Sequence, residues 1–333
     1  MRTFALQRPA DTAAALRLGA AHPAGSYFVG GTTVLDLMKL DVMRPDAMID
    51  LHALRAEHGR IEADASGLRL GALVRMAAAA EHPAVRRDYP ALSDALAQAA
   101  SPQLRNMASL AGTVLQRTRC NYFRDTTWAE CNKRVPGSGC AARGGVNRLL
   151  AVLGTSEHCI AHYPGDFAVA LVALDAEADL LGADGTARTL PVADLHRLPG
   201  DAPHLETNLR SGELVTGFRV PAGPWTRRSL YLKVRDRESY AFALASAAVA
   251  LDLAPDGTVR TARIGLGGVA TKPWRSAEAE AVLAGRHMDE AAAQEAAEAA
   301  FAGAVTHGGN DFKPELGRRT LVRALLAAAD MER

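Results

Sequence analysis

Three of the four cysteines of the chain lie in one polar stretch, residues 117–140, which reads RTRCNYFRDTTWAECNKRVPGSGC. Cys120, Cys131, Cys140 and Cys159 are separated by eleven, nine and nineteen positions. This spacing matches neither the C-x2-C knuckles of zinc ribbons nor the tight cysteine run of small ferredoxins. Four thiolates are nevertheless the full ligand set of a [4Fe–4S] cluster, and also of tetrahedral zinc. The cysteines are therefore candidate metal ligands, with unrelated buried thiols as the alternative.

Positive charge surrounds the first three cysteines. A nearby cation lowers the pKa of a thiol toward the thiolate form that a metal or a cluster requires. The turn over residues 136–139, PGSG, is expected to let backbone amides approach cluster sulfurs. The flanking cations are Arg117, Arg119, Arg124, Lys133 and Arg134.

A second candidate site is the stretch VGGTTVLD, which begins at Val29. The pattern predicts a strand that ends at Val29, a glycine turn, and a helix capped by Thr32 or Thr33. Unpaired amides at such a helix start suit a diphosphate, although a plain capped turn explains the same residues. Gly30 and Gly31 do not form the G-x-G-x-x-G dinucleotide fingerprint.

A third stretch, ASPQLRNMASLAGTVLQRTRC, connects the two candidate sites. It places Ser109, Gly112 and Thr113 on a segment of small residues that is suited to lie against a flat ligand. The same stretch runs directly into Cys120. We therefore expect the glycine loop and the thiols to share one ligand neighbourhood.

Length and composition limit the classes of protein that this chain can form. With 333 residues, 48% hydrophobic residues and a net charge of +1, it is expected to fold into two or three packed globular units. The balanced charge argues against a nucleic-acid or membrane-surface partner, and no stretch has the roughly 18 apolar residues of a membrane span. The amino terminus shows no signal-peptide pattern. Four cysteines are too few for a disulfide scaffold, so the cytoplasm is the first expectation.

Periodicity and turn residues predict alternating strands and helices. A strand–turn–helix unit over residues 26–42 is followed, from about residue 55, by a strand, a hairpin and helices, and the helical pattern continues as far as Pro102. Asp184-Gly185 and Asp256-Gly257 each predict a hairpin turn, and the second hairpin is rich enough in alanine to leave a helix as the alternative. Residues 221–228 predict a linker, and residues 276–333 predict helices.

Five stretches of the chain together resemble one protein family. They are GGTTVLDLMK, ASPQLRNMASLAGTVLQRTRCNYFRD, CNKRVPGSGCAA, LGTSEHCIAHYPGDFAVALVALDA and YLKVRDRESYAFAL. They resemble the FAD-binding subunit of the molybdenum hydroxylases, the xanthine dehydrogenase family. Within it, the chain is most similar to the medium subunit of three-subunit, periplasmic-type aldehyde oxidoreductases. The resemblance spans nearly the whole chain, and the cysteine insertion is its most specific part, because most family members lack it.

The resemblance implies an α+β fold. A two-subdomain FAD-binding unit of the vanillyl-alcohol-oxidase/xanthine-dehydrogenase type would occupy residues 1–55 and 56–222, with an iron–sulfur insertion at about 117–160. Residues 223–333 would form a C-terminal domain of an antiparallel sheet with a helical bundle, like that of the carbon monoxide dehydrogenase flavoprotein.

The resemblance also implies which residues hold cofactors. The four cysteines would bind a [4Fe–4S] cluster, the glycine loop would take the FAD diphosphate, and Thr113 stands where the family has asparagine. Without a cofactor, Asp166 is explained as a helix N-cap and Lys233 as a solvated charge. The residues assigned to FAD are Val29, Gly30, Gly31, Thr32, Thr33, Val34, Leu35, Asp36, Ser109, Gly112, Thr113, Asp166, Val215 and Lys233, and the metal ligands are Cys120, Cys131, Cys140 and Cys159.

The implied function is electron transfer, and no residue of this chain is expected to be catalytic. The sequence shows no nucleophile–base pair, metalloprotease motif or Walker loop. A large partner subunit with a molybdenum cofactor would oxidise an aldehyde to a carboxylic acid. A small subunit with [2Fe–2S] clusters would pass the electrons to FAD on this chain, and from there to an external acceptor. Such a heterotrimer would be periplasmic if a partner carries the signal.

Two other functions stay open. One is a free-standing flavin oxidoreductase of the same FAD-binding superfamily, which would need its own substrate pocket. The other is a zinc-binding assembly factor for a metalloenzyme.

Overall fold

The first residues build a small parallel sheet that ends at the glycine loop. A computed structural model describes residues 1–332. Strand order in this sheet is β1-β3-β2, and the predicted strand–turn–helix unit is confirmed, with its strand ending one residue earlier than expected, at Phe28. Its elements are β1 (Ala5–Gln7), α1 (Thr12–Ala21), β2 (Ser26–Phe28), α2 (Val34–Lys39) and β3 (Ala47–Asp50).

A five-stranded antiparallel sheet follows, in the order β4-β5-β8-β6-β7. The hairpin predicted at Asp184-Gly185 is confirmed between β6 and β7, where Gly185 has a φ of 81°. A positive φ of this kind explains why glycine occupies the turn. The strands are β4 (Ile61–Asp64), β5 (Gly67–Gly71), β6 (Glu177–Leu181), β7 (Ala187–Pro191) and β8 (Leu214–Pro221).

Short helices connect the strands of these two sheets, and one also lies in the cysteine segment, residues 117–160. The helix that we predicted to run as far as Pro102 instead ends at Ala97, and a new helix begins at Pro102. Ser101 caps this new helix, since its Oγ accepts the amide hydrogen of Leu104 at 3.3 Å. The helices are α3 (Arg55–His58), α4 (Met76–Glu81), α5 (Pro83–Asp88), α6 (Pro90–Ala97), α7 (Pro102–Met107), α8 (Leu110–Val114), α9 (Asn121–Arg124), α10 (Phe167–Ala173) and α11 (Val192–Leu195).

The C-terminal part is a four-stranded antiparallel sheet, β12-β11-β10-β9, covered by helices. The long hairpin at Asp256-Gly257 is confirmed and the helical alternative is wrong, because β10 is buried on both faces and small apolar side chains suit such a strand. The elements are β9 (Ser229–Val234), β10 (Ala245–Leu253), β11 (Val259–Gly267), β12 (Trp274–Arg275), α12 (Ala277–Leu283), α13 (Glu290–Phe301) and α14 (Lys313–Ala329).

Three apolar cores result from this arrangement. The largest lies between the five-stranded sheet and helices α4, α6 and α10, and the second lies between the C-terminal sheet and its helices. The third is small and contains the cysteines. Among residues 1–332 there is no helix that is both long and apolar enough to cross a membrane.

Helix α10 is buried at all seven of its positions, and it packs against helices α6 and α8 and against the C-terminal sheet. The backbones of α10 and β11 approach closely at Gly265, where an added Cβ would lie 2.5 Å from the carbonyl oxygen of Val169. No side-chain rotation can relieve a contact with a backbone atom, so glycine is required at this crossing.

We expect Gly265→Ala to destabilise the protein. Overpacking of a core typically costs about 1–3 kcal/mol, which exceeds the roughly 0.4–1 kcal/mol that alanine gains by restricting the unfolded chain. Thermal or urea unfolding measures the difference. Gly303→Ala is the matched control, because Gly303 is exposed and an added Cβ would meet no atom within 4 Å. Equal midpoints for the two variants would contradict the proposed crossing.

Candidate functional site

A cavity of about 350 Å³ opens between the glycine loop, the α8 segment and strand β8. The structure thus brings together three stretches that the sequence assigned to one ligand. It also supplies apolar walls, as expected for a cofactor cleft. Of the residues predicted to bind FAD, those that line the cavity are Val29, Gly30, Gly31, Thr32, Thr33, Val34, Ser109, Gly112 and Val215.

The glycine loop has the form of an anion cradle. A Cβ on Gly30 would lie 2.2 Å from the carbonyl oxygen of Met107, and Gly31 has a φ of 67°. Within the described residues, no hydrogen-bond acceptor is found for the amides of Thr32, Thr33 and Val34. The N-cap hydroxyl that we predicted for α2 makes no capping bond either. These free donors fit the diphosphate of a dinucleotide.

The α8 segment is fixed to the loop that follows β5. Ser109 caps α8 by accepting the amide hydrogen of Gly112 at 3.2 Å, and the amide of Leu110 donates to the carbonyl of Val74 at 3.0 Å. The hydroxyl hydrogen of Ser109 stays available to a ligand. Thr113, by contrast, does not line the cavity. Its hydroxyl oxygen accepts a hydrogen bond from the side-chain amide of Gln116 at 3.2 Å.

Asp166 and Lys233 form a buried ion pair away from the cavity lining. The Lys233 ammonium donates to Asp166 Oδ2 at 2.8 Å, and the Tyr231 hydroxyl donates to Oδ1 at 2.6 Å. The Lys233 side chain is only 1% exposed, so the alternative explanation of this residue as a solvated charge is wrong. Asp166 does occupy the N-cap position of α10, as its alternative explanation required, but its carboxylate accepts no hydrogen bond from a helix amide. Burial raises the pKa of Asp166, and the ammonium of Lys233 opposes that shift.

Two further assigned residues, Leu35 and Asp36, also lie outside the cavity lining. The Asp36 carboxylate turns toward the cysteine segment instead and binds Arg124 at 2.7 Å. The cavity also has polar wall residues that the sequence did not single out as ligands: Tyr27, Arg117 and Glu213. No local pattern marks them, because each belongs to the site only through its neighbours in space.

A second cavity, of about 360 Å³, adjoins the first through Leu115, Arg117 and Leu209. Cys159 contributes to its wall, as does the buried ring of His196. The Nε2 of His196 lies 3.0 Å from the carbonyl oxygen of Val114, on the segment that also borders the first cavity. The first cavity, between the glycine loop and α8, and the cysteines are therefore neighbours, as expected.

The four cysteines are free thiols in one small core. Cys120, Cys131 and Cys159 are buried. Cys140 is partly buried and packs against the same core. An antiparallel bridge pairs Cys131 with Cys140. Leu37 of α2 is part of the same core, which brings the glycine-loop helix into contact with the cysteine segment.

The flanking cations do not activate the thiols as we expected. Burial raises the pKa of Cys120 to about 12 and that of Cys159 to about 11, and among the flanking cations only Lys133 opposes the shift at Cys159. The other cations have partners of their own. Arg117 binds Glu206 at 2.5 Å, and Arg134 donates to several carbonyls of the loop that follows Cys120.

Backbone amides reach the sulfurs from an unexpected side. Those of Tyr122 and Phe123 hydrogen-bond Cys120, and that of Ala161 donates to Cys159 Sγ at 3.5 Å. The amides of Ser138 and Gly139, which we expected in this role, donate to Val135 and Asn132 instead. Hydrogen bonds to ligand sulfurs are a regular feature of iron–sulfur sites.

The four thiols match the ligand set of an iron–sulfur cluster, and equally that of zinc, in number and type. A single zinc ion with Zn–S bonds of about 2.3 Å would need its sulfurs roughly 3.8 Å apart. In residues 1–332, no three or more His, Cys, Asp or Glu side chains are grouped so as to hold one metal ion. The metal site predicted at the four cysteines is therefore not supported by the arrangement of the described side chains.

Two family models cover almost the whole chain. One, described as the FAD binding domain in molybdopterin dehydrogenase, matches residues 2–223, and the CO dehydrogenase flavoprotein C-terminal domain matches residues 230–328. The chain belongs to the FAD-binding medium subunits of the molybdenum hydroxylases. The family suggested by the five sequence stretches is thereby confirmed, and with it FAD as a cofactor of this subunit.

Curated relatives and solved structures agree with this assignment. The chain is 46% identical to the aldehyde oxidoreductase FAD-binding subunit PaoB of Escherichia coli K12, over 98% of this chain and 99% of that protein. It is 26% identical to the carbon monoxide dehydrogenase medium chain of Afipia carboxidovorans, over 91% and 86%. The structure of carbon monoxide dehydrogenase from Hydrogenophaga pseudoflava superposes with a TM-score of 0.75 at 25% identity, over 98% and 97%. Quinoline 2-oxidoreductase from Pseudomonas putida 86 shares the fold, with a TM-score of 0.74 at 23% identity over the same shares.

We expect Gly30→Ala to lose FAD. The added methyl would meet the backbone at Met107, so the loop must move away and the cradle widens. A loss of about 1.4 kcal/mol in binding already lowers affinity tenfold. Flavin released per chain measures the effect. Gly144→Ala is the control, because an added Cβ there meets no atom within 4 Å. Full flavin content in Gly30→Ala would exclude this loop as the cradle.

The protein should lose stability as the pH falls from about 6.5 toward 4. Burial lowers the pKa of His162 to about 3 and that of His196 to about 4, whereas an unfolded histidine titrates near 6.5. In this range the unfolded chain binds more protons than the folded chain, so its free energy falls relative to the folded state.

His196→Asn should make this dependence shallower, by up to about 1.4 kcal/mol for each pH unit. Urea unfolding at several pH values gives the slope. His204→Asn is the control, because His204 is exposed on the same loop. An unchanged slope in His196→Asn would show that this ring is not the group responsible.

Proposed function

We propose that this chain is the FAD- and [4Fe–4S]-containing electron-transfer subunit of a molybdenum-dependent aldehyde oxidoreductase. The observation that carries the proposal is the 46% identity, over nearly the full length of both chains, to a protein named as the FAD-binding subunit of an aldehyde oxidoreductase. The subunit itself contributes no catalytic residue to the oxidation of the aldehyde to a carboxylic acid.

FAD, when bound, can take up electrons one at a time and release them singly or in pairs, which suits it to connect iron–sulfur partners with an external acceptor. The chain's own residues bind and orient it. The glycine loop, residues 29–34, would take the diphosphate, and Ser109 and Gly112 would border the flavin and its ribityl chain. Leu35, Asp36 and Thr113, which lie outside the cavity lining, would act only through these neighbours. Val215 supplies an apolar wall. Lys233 and Asp166, which form a fixed, buried charge pair outside the lining, would contribute to FAD binding through their charge.

The four cysteines would hold the [4Fe–4S] cluster. Support comes from four free thiols in one core, from the amide bonds to Cys120 and Cys159, and from the position of Cys159 in the wall of the cavity that adjoins the flavin cavity. Metal binding must displace the thiol protons, because burial keeps the metal-free thiols of Cys120 and Cys159 protonated.

The complete enzyme would be a heterotrimer. A large subunit with the molybdenum cofactor would oxidise the substrate, and a small subunit with [2Fe–2S] clusters would connect it to FAD on this chain. The unit boundaries that we propose are 1–55, 56–222 with the insertion at about 117–160, and 223–333. The related Afipia protein is also named as the medium chain of an enzyme, carbon monoxide dehydrogenase.

Anaerobic purification followed by assays of iron, sulfide, zinc and flavin tests the proposal. We expect about four irons per chain, as a full four-cysteine cluster requires, together with one flavin. Cys131→Ser should lose iron and keep flavin, whereas Gly30→Ala should lose flavin and keep iron. Each variant thus controls for misfolding in the other. A colourless, zinc-loaded chain without flavin would support the assembly-factor alternative instead.

A further inference from the structure

Helix α2 touches both proposed cofactor sites. It follows directly on the glycine loop, and its Leu37, which is fully buried, belongs to the core around the cysteines. The turn after α2 is tied back to the helix, since the amides of Val42 and Met43 both donate to the carbonyl of Leu37 at 2.9 and 3.1 Å. Met43 lines the flavin cavity and also packs against the cysteine core. Helix α2 and the turn after it therefore connect the glycine loop with the cysteine segment by direct packing.

Asp36 adds a charged link to this apolar contact. Its Oδ2 accepts hydrogen bonds from Arg119 at 3.2 Å and from Arg124 at 2.7 Å. These arginines lie on either side of Cys120 in the sequence. The carboxylate thus fixes the backbone that carries the first cysteine, at a distance of 83 and 88 residues along the chain.

The two arginines depend on this carboxylate. Their side chains are 20% and 21% exposed, and neither has a second carboxylate partner among the described residues. Arg119 Nε and Arg124 Nη1 are buried without any hydrogen-bond partner. Removal of Asp36 would leave two largely buried cations uncompensated, which is the most costly way to break an ion pair.

We propose that Asp36 is a positioning residue that couples occupancy of the flavin cavity to the closure of the cysteine segment, residues 117–160. The inference rests on the proposed function in one respect, namely that FAD is held by the glycine loop. FAD orders that loop, the loop holds α2, and α2 holds the arginines around Cys120. Because linkage is reciprocal, closure of the segment strengthens FAD binding by the same factor.

The coupling factor should be modest. Asp36 is 38% exposed, so solvent screens part of its attraction to the arginines. Couplings between sites typically range from about 5-fold to 150-fold. We therefore expect FAD to slow amide hydrogen exchange in residues 117–160 by about fivefold, at the low end of that range.

Hydrogen exchange of the full-length chain with and without added FAD tests the coupling, with FAD binding measured separately by flavin fluorescence. Asp36→Asn should bind FAD about fivefold more weakly and lose the FAD-dependent protection of residues 117–160. Arg124→Gln breaks the same contact from the other side, leaves the glycine loop intact, and should give the same result. Asp41→Asn is the matched control, since Asp41 follows α2 and pairs with two arginines, Arg2 and Arg44, outside the cysteine segment.

The outcomes distinguish failure of the proposed function from failure of the coupling through Asp36. If the wild-type chain binds no FAD, the proposed function fails and the coupling fails with it. If FAD binds but protects residues 117–160 equally in wild type, Asp36→Asn and Arg124→Gln, the proposed function stands and the role of Asp36 is overturned. Loss of protection in both variants, with protection retained in Asp41→Asn, establishes the coupling. A variant that fails to fold is recognised by rapid hydrogen exchange throughout the chain. The other of the two variants, Asp36→Asn or Arg124→Gln, then tests the coupling.

Discussion

Neutralisation of the cations around the cysteines is the constraint on which the arrangement of both sites depends. Two carboxylates from outside the cysteine segment neutralise these cations. Asp36 pairs with Arg119 and Arg124, and Glu206, which pairs with Arg117, approaches the ammonium of a neighbouring lysine as well. Uncompensated buried cations are strongly unfavourable. The glycine-loop helix and the loop that carries Glu206 must therefore lie against the segment, and this places the flavin cavity next to the thiols.

The segment itself has little regular structure, so side chains satisfy much of its backbone. Arg134 donates to the carbonyls of Tyr122, Phe123 and Asp125 at 2.6 to 3.1 Å. At the other end, the fully buried Lys313 donates to the carbonyl of Leu149 at 3.0 Å and anchors the segment to the C-terminal helices. Buried backbone groups need such partners, and once they have them the loop has few alternative conformations. The cysteines are thereby held in one core before any metal binds.

Local chemistry made much of the fold predictable. The turns at Gly185 and Gly257 both have a positive φ, and the glycine loop adopts the strand–turn–helix form that its residues indicated. The partners of charged side chains were not predictable in the same way. Lys233 finds its carboxylate 67 residues earlier in the chain. A sequence shows that a charge exists, whereas its burial and its partner depend on how distant elements pack. The helix break before Pro102 was missed because the Ser101 cap was not weighed against the continuing apolar pattern.

The same pairing explains why the thiol of Cys120 stays protonated in spite of the nearby arginines. A cation that is already bound to a carboxylate exerts little net field on a sulfur a few ångströms farther away. Burial then dominates, and the pKa of Cys120 rises to about 12. The groups that act directly on the sulfurs are the amides of Tyr122, Phe123 and Ala161. Attachment of the segment and tuning of its sulfurs are thus performed by different groups. A change at Asp36 therefore alters the position of the proposed cluster, whereas a change in the backbone at Ala161 would alter its potential.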